Sequence, residues 1–458
     1  MFLGLHSAVL SAGLTLALHA VAEPAVPTVI VDIHAQGYAQ VQRLGGDPEV
    51  RWSAEFGNEL LLGVAPAHLE KWLAKRGVRI GFGELAPDEV LVRDHVCSHQ
   101  AEAMPALGVV GGYEIVRLAP DKVLTVHLSG LLGRALPSNG VFAREVANEP
   151  VQAQTQAADS GVASVVARVD AERWFASMST LSTFNRNSFS PMLGSAREWV
   201  LGQFADAGLS TQSFPFELSN LSNCGTPAPA AIQLANPIGT KRGLGTPDEW
   251  VVVGAHYDSR NSARCDGVNA PQPGANDNAS GCAGVIELAR AMRGVPTARS
   301  ILFMCFAGEE QGLVGSRRYV EALQANGDIA KVKHMINLDM LGYANSDALA
   351  ARVETNTAHQ NLLSKYAAAA ATYAPELGLI TSANASGGSD HFYFLGAGVP
   401  AVFTWQNGAS VYPHYHQQTD IPSNMTRARP LAGGILKMDA AMLTDQAGLL
   451  GPFADGFE

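Results

Sequence analysis

The chain has 458 residues, of which 47% are hydrophobic, and its 31 basic and 42 acidic side chains give a formal net charge of −11. This length exceeds that of one ordinary domain, so we expect two folded units with sizeable cores. The acidic balance argues against a surface for nucleic acid or anionic membranes, and it favours a protein that gathers cations locally.

The first 22 residues have the pattern of a secretory signal peptide. An apolar stretch over residues 8–18 is followed by Ala20 and Ala22 at signal-peptidase spacing, and then by Glu23 and Pro24, which break the run. The alternative is a first core helix, because no Lys or Arg precedes the stretch. No other segment reaches the roughly 18 apolar residues that cross a bilayer. We therefore predict a secreted or periplasmic protein, cleaved after Ala22, without a membrane span.

The five cysteines show no CxxC spacing, so the sequence supports neither a zinc knuckle nor a thioredoxin-like site. Cys224 and Cys265 lie in loop-like sequence, and they are candidates for a disulfide in an exported protein. Cys282 and Cys305 lie in apolar runs and are expected to be buried free thiols.

The rest of the chain divides into four segments with different patterns. In the first, short strands are mixed with a helix that carries Leu69, Trp72 and Leu73 on one face, which predicts a small α+β domain. A stretch rich in Ala, Gln and Ser then predicts a linker. The predicted boundaries are 23–147 for an N-terminal α+β pro-region or accessory domain, 148–161 for the linker, 162–449 for a larger second domain and 450–458 for a C-terminal tail.

Three apolar runs in the second domain are short, rich in β-formers and not alternating: "EWVVVGAH", "SILFMCFAG" and "HMINLDML". Strands that are buried on both faces have this pattern, and the segments between them have helical spacing. The sequence therefore predicts an α/β fold with a mostly parallel central sheet flanked by helices. In such sheets, ligands bind just beyond the carboxyl ends of the strands.

Histidines and acidic residues follow these runs at that edge. They are His256 and Asp258 after the first run, Asp277 in the turn "GANDNASG", Glu309 and Glu310 after the second run, Asp339 at the end of the third, and His414 and His416 in "YPHYHQQTD". This many carboxylates at one rim would repel one another unless a cation held them together. Imidazole and carboxylate ligands suit zinc, with cobalt or manganese as substitutes, and the lack of cysteine in the set indicates an open, catalytic site.

Most of these residues also have an ordinary explanation. A single histidine after a strand is usually structural, Asp277 fits a turn or a helix N-cap, and Glu309 with Glu310 fits the acidic first turn of a helix. Asp339 is harder to explain, because within "INLDML" it would be buried and would need a partner.

Two pairs of neighbouring residues suggest a division of roles. Positions two apart in an extended chain point the same way, so the carboxylate of Asp258 can accept the second ring N–H of His256. Adjacent side chains diverge, so only one of Glu309 and Glu310 needs to bind metal, and the other can act as a base.

The motifs "GAHYDS", "GANDNASG", "AGEEQGLVGS", "INLDM", "SGGSDHFYF" and "HYHQQTD" occur in the order and at the approximate spacing of the M28 family of dinuclear zinc aminopeptidases, and they resemble its bacterial leucyl aminopeptidases. Each motif alone is weak, and the six together are highly specific. The resemblance covers residues 165–449. It implies two Zn²⁺ ions per chain, with His256 and Asp339 on one ion, Glu310 and His416 on the other, and Asp277 bridging them.

The resemblance also implies catalytic roles. Glu309 would be the general base that activates a bridging water and then protonates the leaving amine. Asp258 would orient His256. His416 is preferred to His414 because the last ligand of the family stands four residues before an Asp.

Further residues are implied around the metals. Ser389 would support the last histidine ligand from behind. Candidates for the pocket that binds the substrate side chain are Met340, Phe403, Trp405, Tyr412 and Tyr415, and each of them is equally well explained as an ordinary core residue.

The sequence thus predicts a secreted zinc aminopeptidase that hydrolyses N-terminal, large apolar residues from peptides with a free N-terminus. One alternative is a single-zinc transferase resembling glutaminyl cyclases, which needs only an Asp-Glu-His set. Another is a non-catalytic binding module on the same fold, although such relatives typically lose ligands. The N-terminal domain is expected to act as an intramolecular chaperone or inhibitor that docks on the catalytic domain.

Overall fold

A computed structural model of the protein describes residues 24–33, 38–57, 59–94, 106–110, 113–118, 134–135, 139–144, 155–219, 230–261, 271–383, 388–407 and 412–451. The predicted signal peptide, Cys224, Cys265 and the tail beyond residue 451 lie outside these residues. A search of the described helices finds none with the length and apolar character of a membrane span.

The described residues of the N-terminal part form two sheets in which most neighbouring strands are antiparallel. The first has the strand order β4-β1-β3-β2-β9 and the second β6-β7-β5-β8. The elements are β1 (Val26–Asp32), α1 (Tyr38–Gly45), β2 (Val50–Gly57), β3 (Glu59–Val64), α2 (Leu69–Leu73), β4 (Val78–Leu85), β5 (Val90–Asp94), β6 (Ala106–Val110), β7 (Tyr113–Arg117), β8 (Arg134–Ala135) and β9 (Asn139–Arg144). This arrangement confirms the predicted small α+β unit.

Side chains alternate across the first sheet, as the pleat of a strand requires. On β1, Val29 and Val31 belong to a core that also contains Trp72 of α2, whereas Ile30 belongs to a core shared with Val92 of the second sheet. Trp72 is fully buried, so the predicted apolar face of the short helix does pack on the sheet.

The second part is built on an eight-stranded mixed sheet with the order β10-β11-β13-β12-β14-β17-β15-β16. Its strands are β10 (Ser210–Leu218), β11 (Ile232–Lys241), β12 (Thr246–His256), β13 (Arg299–Phe306), β14 (Val332–Asp339), β15 (Ala350–Glu354), β16 (Gly378–Ser382) and β17 (Ala401–Gln406). The helices are α3 (Ser160–Val166), α4 (Ala171–Leu181), α5 (Met192–Asp206), α6 (Ser280–Ala291), α7 (Val314–Ala325), α8 (Asn361–Tyr373), α9 (His391–Gly396) and α10 (Ala428–Ala447).

The three predicted apolar runs are β12, β13 and β14, which lie side by side and parallel at the centre of the sheet. Alternate residues of β12 enter two different cores. Val251 and Val253 pack with helices that include α6 and α10, and Val252 packs on the opposite face with α7 and α9. Burial on both faces explains why these strands read as unbroken hydrophobic runs, and it confirms the predicted fold class.

Part of the predicted linker is structured. Helix α3 begins at Ser160, and the Asp159 side chain caps it by accepting the Val162 N–H at 2.9 Å. The backbone N–H of Asp159 donates to the Tyr373 hydroxyl at 3.0 Å, at the end of α8. The end of the polar stretch therefore serves as a helix start, because Asp is a strong N-cap residue.

The expectation of free thiols at Cys282 and Cys305 is wrong. The two residues form a disulfide between α6 and β13, with Cα atoms 5.7 Å apart, and both are fully buried. Apolar sequence predicts burial correctly, but it carries no information about which two runs pack against each other. The helix that follows the Asp277 turn folds back onto β13, and this contact brings the sulfurs together.

Replacing both Cys282 and Cys305 by Ala is expected to lower the free energy of unfolding by about 3 kcal/mol, because the bridge closes a loop in the unfolded chain. The sequence separation of the two residues is 23. Urea unfolding of the oxidised protein and the double variant, followed by circular dichroism, measures the difference. Equal midpoints and slopes would contradict a stabilising role.

Candidate metal centre

The five predicted ligands meet at the carboxyl edge of the central strands. His256 and Asp339 are the last residues of β12 and β14, Asp277 lies in the turn before α6, Glu310 follows β13, and His416 lies in the loop after β17. Because β12, β13 and β14 are parallel, their carboxyl ends lie at one edge, and residues far apart in sequence become neighbours there.

Two of the groups of ligand atoms that could hold a metal ion share Asp277, and a third consists of His256, Glu309 and Glu310. In the first subsite (His256, Asp277, Asp339), His256 Nε2 lies 3.2 Å from Asp277 Oδ1 and 3.5 Å from Asp339 Oδ2. In the second subsite (Asp277, Glu310, His416), His416 Nε2 lies 2.9 Å from Asp277 Oδ2 and 3.4 Å from Glu310 Oε2. Asp277 thus turns one oxygen toward each histidine, as a bridging ligand requires.

The residues present fit divalent metal ions. All five are at most 5% exposed, and within each subsite the ligand atoms lie within 4.8 Å of one another. Glu310 Oε1 and Asp339 Oδ1 are buried with no hydrogen-bond partner in the described part of the chain. Buried carboxylate oxygens without a partner are costly, and a cation of zinc-like chemistry satisfies them.

The buried histidines and carboxylates of the site shift the pKa values of one another. Burial lowers the pKa of His256, but the charges of Glu309 and Asp339 outweigh it and raise that pKa well above its usual value. Burial raises the pKa of Asp277, yet hydrogen bonds from His256 and His416 outweigh it and lower that pKa. Metal binding at this site would therefore displace protons.

Glu309 differs from its neighbour Glu310. The side chain of Glu309 is 14% exposed, whereas that of Glu310 is 3% exposed. Oε2 of Glu309 lies 3.9 Å from His256 Nε2. Burial raises the pKa of Glu309 well above its usual value. A carboxylate at the border of the site, with its pKa shifted toward neutrality, has the properties of a general base.

Residues 236–433 match the sequence profile of "Peptidase family M28". Over these residues the chain is similar to peptidase family M28. It is similar to aminopeptidase YwaD of Bacillus subtilis (strain 168), with 33% identity over 44% of this chain and 42% of that protein. It is also similar to a probable zinc metalloprotease of Pyrenophora teres f. teres (strain 0-1), with 28% identity over 43% of this chain and 44% of that protein. These alignments span less than half of each relative.

Solved structures share the fold of the domain that carries the candidate metal centre. The aminopeptidase from Aneurinibacillus sp. strain AM-1 superposes with a TM-score of 0.52 and 20% identity, over 65% of this chain and 98% of that one. The LapA aminopeptidase of Legionella pneumophila gives a TM-score of 0.53 and 18% identity, over 79% of this chain and 99% of that one. These likenesses support the predicted fold of a sheet flanked by helices.

Asp258 contacts both the ring of His256 and the turn that carries the two glutamates. The acceptor nearest to His256 Nδ1 is the backbone carbonyl of Asp258, at 3.1 Å, and the carboxylate is farther away at 3.6 Å. The carboxylate instead accepts the backbone N–H groups of Glu309 and Glu310, both at 3.2 Å. One residue thus orients the His256 ring and also holds the turn that presents the two glutamates.

Ser389 does not support His416. Its hydroxyl donates to Asp339 Oδ2 at 2.7 Å and accepts from the Asn337 amide at 2.8 Å. Ser389 lies just before α9, which packs beside β14, the strand that ends in Asp339. Ser389 therefore fixes the carboxylate of a first-subsite ligand.

Asp420 ties the Asp277 turn to the His416 loop. Its carboxylate accepts the backbone N–H groups of Asn276 and Asp277, both at 2.9 Å, and the Tyr412 hydroxyl at 2.7 Å. Tyr412 is 2% exposed. It therefore positions Asp420, and its predicted place in a substrate pocket is not supported. In the sequence, Asp420 served only to identify His416 as the histidine that stands four residues before an Asp.

The Asp420→Ala variant is expected to bind metal about 10- to 100-fold more weakly, because the Asp277 turn loses two hydrogen bonds that orient a ligand shared by both subsites. Competition with a chromophoric chelator measures this affinity. Tyr412→Phe is the matched control, since it removes one of the three donors to Asp420 and should cause a smaller loss. Wild-type affinity in Asp420→Ala would refute this positioning role.

His414 and His416 are clearly distinguished. His416 lies among the ligands, whereas His414 bonds Thr419 Oγ1 at 2.8 Å at the surface and belongs to none of the candidate groups. The other pocket candidates lie around the site. Trp405 lies opposite Asp339 in the sheet, and its ring stacks on that of Phe403 with 5.2 Å between the ring centroids. The ring of Tyr415 stacks on that of His416 with 3.6 Å between the centroids. Met340 directly follows Asp339 in the chain.

Two buried arginines near the site were not predicted. Arg186 donates to the backbone carbonyls of Tyr257 and Gly274, and so links the chain after His256 to the turn before Asp277. Burial lowers the pKa of Arg186 to about 10. Arg260 contacts Glu310 and His416 directly. Neither arginine belongs to a sequence pattern of metal ligands. The sequence could have indicated only Arg260, because it lies shortly after "HYDS".

Proposed function

We propose that the protein is a metallo-aminopeptidase that removes N-terminal residues from peptides with the help of two divalent metal ions. The observation that carries the proposal is the placement of Asp277 between His256 and His416, with one oxygen toward each. A site for a single metal ion has no need of a shared carboxylate or of two histidines on its opposite sides.

The ions would supply a polarised, acidified water and a Lewis acid for the scissile carbonyl. Glu309 would accept the proton of that water and pass it to the leaving amine. Its partial exposure gives it access to substrate. Asp258 would keep Glu309 in place through the backbone of its turn.

We propose a preference for large apolar N-terminal residues. Met340, Phe403, Trp405 and Tyr415 supply apolar surface beside the ligands, and Trp405 and Tyr415 are partly exposed. Apolar and aromatic walls with a few polar groups are typical of sites that bind apolar side chains.

Elemental analysis combined with a panel of aminoacyl reporters tests the function. We expect about two metal ions per chain and faster hydrolysis of Leu and Phe reporters than of Gly and Glu reporters. Saturation at one ion, with release of ammonia from N-terminal glutamine, would favour a cyclase. A protein with no bound metal and no turnover would favour a binding module.

We propose that the protein is exported, after cleavage behind Ala22. Support comes from the buried Cys282–Cys305 disulfide, since stable disulfides are typical of oxidising compartments. Mass spectrometry of the protein from its native source gives both the N-terminus and the number of free thiols. A chain that retains residues 1–22 and has every cysteine reduced would contradict export.

We propose that the N-terminal domain docks on the M28 domain as a chaperone or inhibitor. The support is its position ahead of the larger domain in the chain, together with the lack of a candidate ligand group among its described residues. Expression of residues 162–458 alone, with and without added N-terminal domain, tests the idea. Soluble and fully active enzyme that the added domain does not inhibit would overturn it.

A further inference from the structure

The side chain of Arg186 joins the backbone of three separate segments beside the candidate metal centre. Its Nε donates to the carbonyl of Tyr257 at 2.7 Å, and its Nη2 donates to that of Gly274 at 2.8 Å. Its Nη1 donates to the carbonyls of Leu181 and Pro273 at 2.8 and 2.7 Å. These carbonyls belong to the end of α4, to the chain just after β12 and to the turn before α6.

Two of the three segments carry ligands of the proposed metal site. Tyr257 directly follows His256, and Gly274 begins the turn in which Asp277 lies. One guanidinium therefore fixes the separation between the backbone that carries the first histidine and the backbone that carries the bridging carboxylate. Because Asp277 is shared by both subsites, a change in this separation affects both of them.

The segment that carries Arg186 is itself held in place. The Asn187 amide donates to Gln272 Oε1 at 3.0 Å, and the Ser188 hydroxyl donates to Asp258 Oδ2 at 3.2 Å. Residues 186–188 are at most 3% exposed. The guanidinium thus extends from a buried and hydrogen-bonded base, which keeps its own position fixed.

The charge of Arg186 and its hydrogen bonds act on metal binding in opposite directions. Arg186 is fully buried, so water screens its charge poorly, and the charge repels an incoming metal ion. Its four hydrogen bonds to backbone carbonyls occupy no ligand atom, and they hold the ligand-bearing backbone at one spacing. Groups that orient metal ligands typically change metal affinity by about 10- to 100-fold.

We propose that Arg186 is a positioning residue that raises the metal affinity of the site. It does so by holding the end of β12 and the Asp277 turn at a fixed separation, and this effect outweighs the repulsion between its charge and the metal. The inference rests on the proposed metal-dependent function. Arg186 lies ahead of the part of the chain that matches the M28 profile.

Zinc titration of the metal-free protein against a chromophoric chelator tests the inference, with folding checked by circular dichroism. Arg186→Met removes the charge and all the donors and keeps an unbranched side chain. It should weaken zinc binding about 10-fold or more, the lower end of the effects of groups that orient metal ligands. Loss of the charge alone would tighten binding, so tighter or unchanged binding in the folded variant would overturn the inference.

Arg186→Lys separates the hydrogen bonds from the charge. It keeps a buried cation, but its ammonium is a single point and cannot reach carbonyls of all three segments. Zinc should therefore bind more weakly to this variant than to the wild type. If Arg186→Met does not fold, Arg186→Lys decides, and wild-type affinity there would overturn the inference.

Leu323→Ala is the control for lower stability. Leu323 is 6% exposed and belongs to the core between the sheet and α7, so its truncation leaves a cavity. Urea unfolding of the metal-free proteins should show a lower midpoint for this variant and for Arg186→Met, whereas zinc affinity should fall only in Arg186→Met. An equal loss of affinity in Leu323→Ala would overturn the inference alone. A wild-type protein that binds no zinc would overturn the proposed function as well, so the two failures are distinguishable.

Discussion

Replacing Glu309 by Gln is expected to lower kcat about 1000-fold, because the amide cannot accept the proton of the attacking water. The size and shape of the side chain are kept. Glu309 lies outside the two subsites that share Asp277, so the bound metal should stay at the wild-type level. Steady-state hydrolysis of a Leu reporter and elemental analysis of the same preparation measure the two quantities.

Glu310→Gln is the matched control for this experiment. It changes the adjacent residue in the same way, but Glu310 belongs to the second subsite, where its Oε2 lies 3.4 Å from His416 Nε2. This variant should lose metal as well as activity. A Glu309→Gln protein that keeps more than about a tenth of the wild-type kcat would remove Glu309 from the role of general base.

Truncating His416 to Ala is expected to reduce the metal content by about one ion per chain and to lower kcat/KM at least about 100-fold. The variant removes the single imidazole of the second subsite and leaves His256, Asp277 and Asp339 in place. Elemental analysis after dialysis against a weak chelator, together with the Leu reporter, provides the measurement.

His414→Ala is the matched control, since the two histidines are two positions apart in the same loop. His414 bonds Thr419 at the surface, so its loss should leave metal content and activity close to the wild type. If His414→Ala lost metal and His416→Ala kept it, the assignment of the second subsite would be wrong.

Much of the candidate site was predictable because its ligands follow a simple rule. Unbroken apolar runs mark strands buried on both faces, and in a parallel sheet the residues after such runs meet at one edge. His256, Asp339 and the pair Glu309 and Glu310 were found in this way, and the choice of Glu310 as the ligand of the pair came from the likeness to the M28 motifs. Asp277 and His416 lie in loops and have no such signal of their own, so their prediction depended on the likeness to the M28 motifs.

The supporting contacts were only partly predictable. Asp258 contacts His256 as expected, but its carboxylate also binds the glutamate turn, Ser389 contacts Asp339 rather than His416, and Tyr412 contacts Asp420. At His256 the two candidate acceptors of Asp258, its carbonyl and its carboxylate, lie 3.1 and 3.6 Å from Nδ1. Sequence spacing does not resolve such differences.

The amino-acid pattern alone was enough to establish the class of fold, the burial of the central strands and the chemistry of the ligand set, because hydrophobic periodicity and ligand type are local properties of the chain. The Cys282–Cys305 pair and the place of Arg260 behind Glu310 and His416 became known only from the folded chain. Both depend on which distant segments pack against each other, and that choice is made by the fit of whole surfaces rather than by any short stretch of sequence.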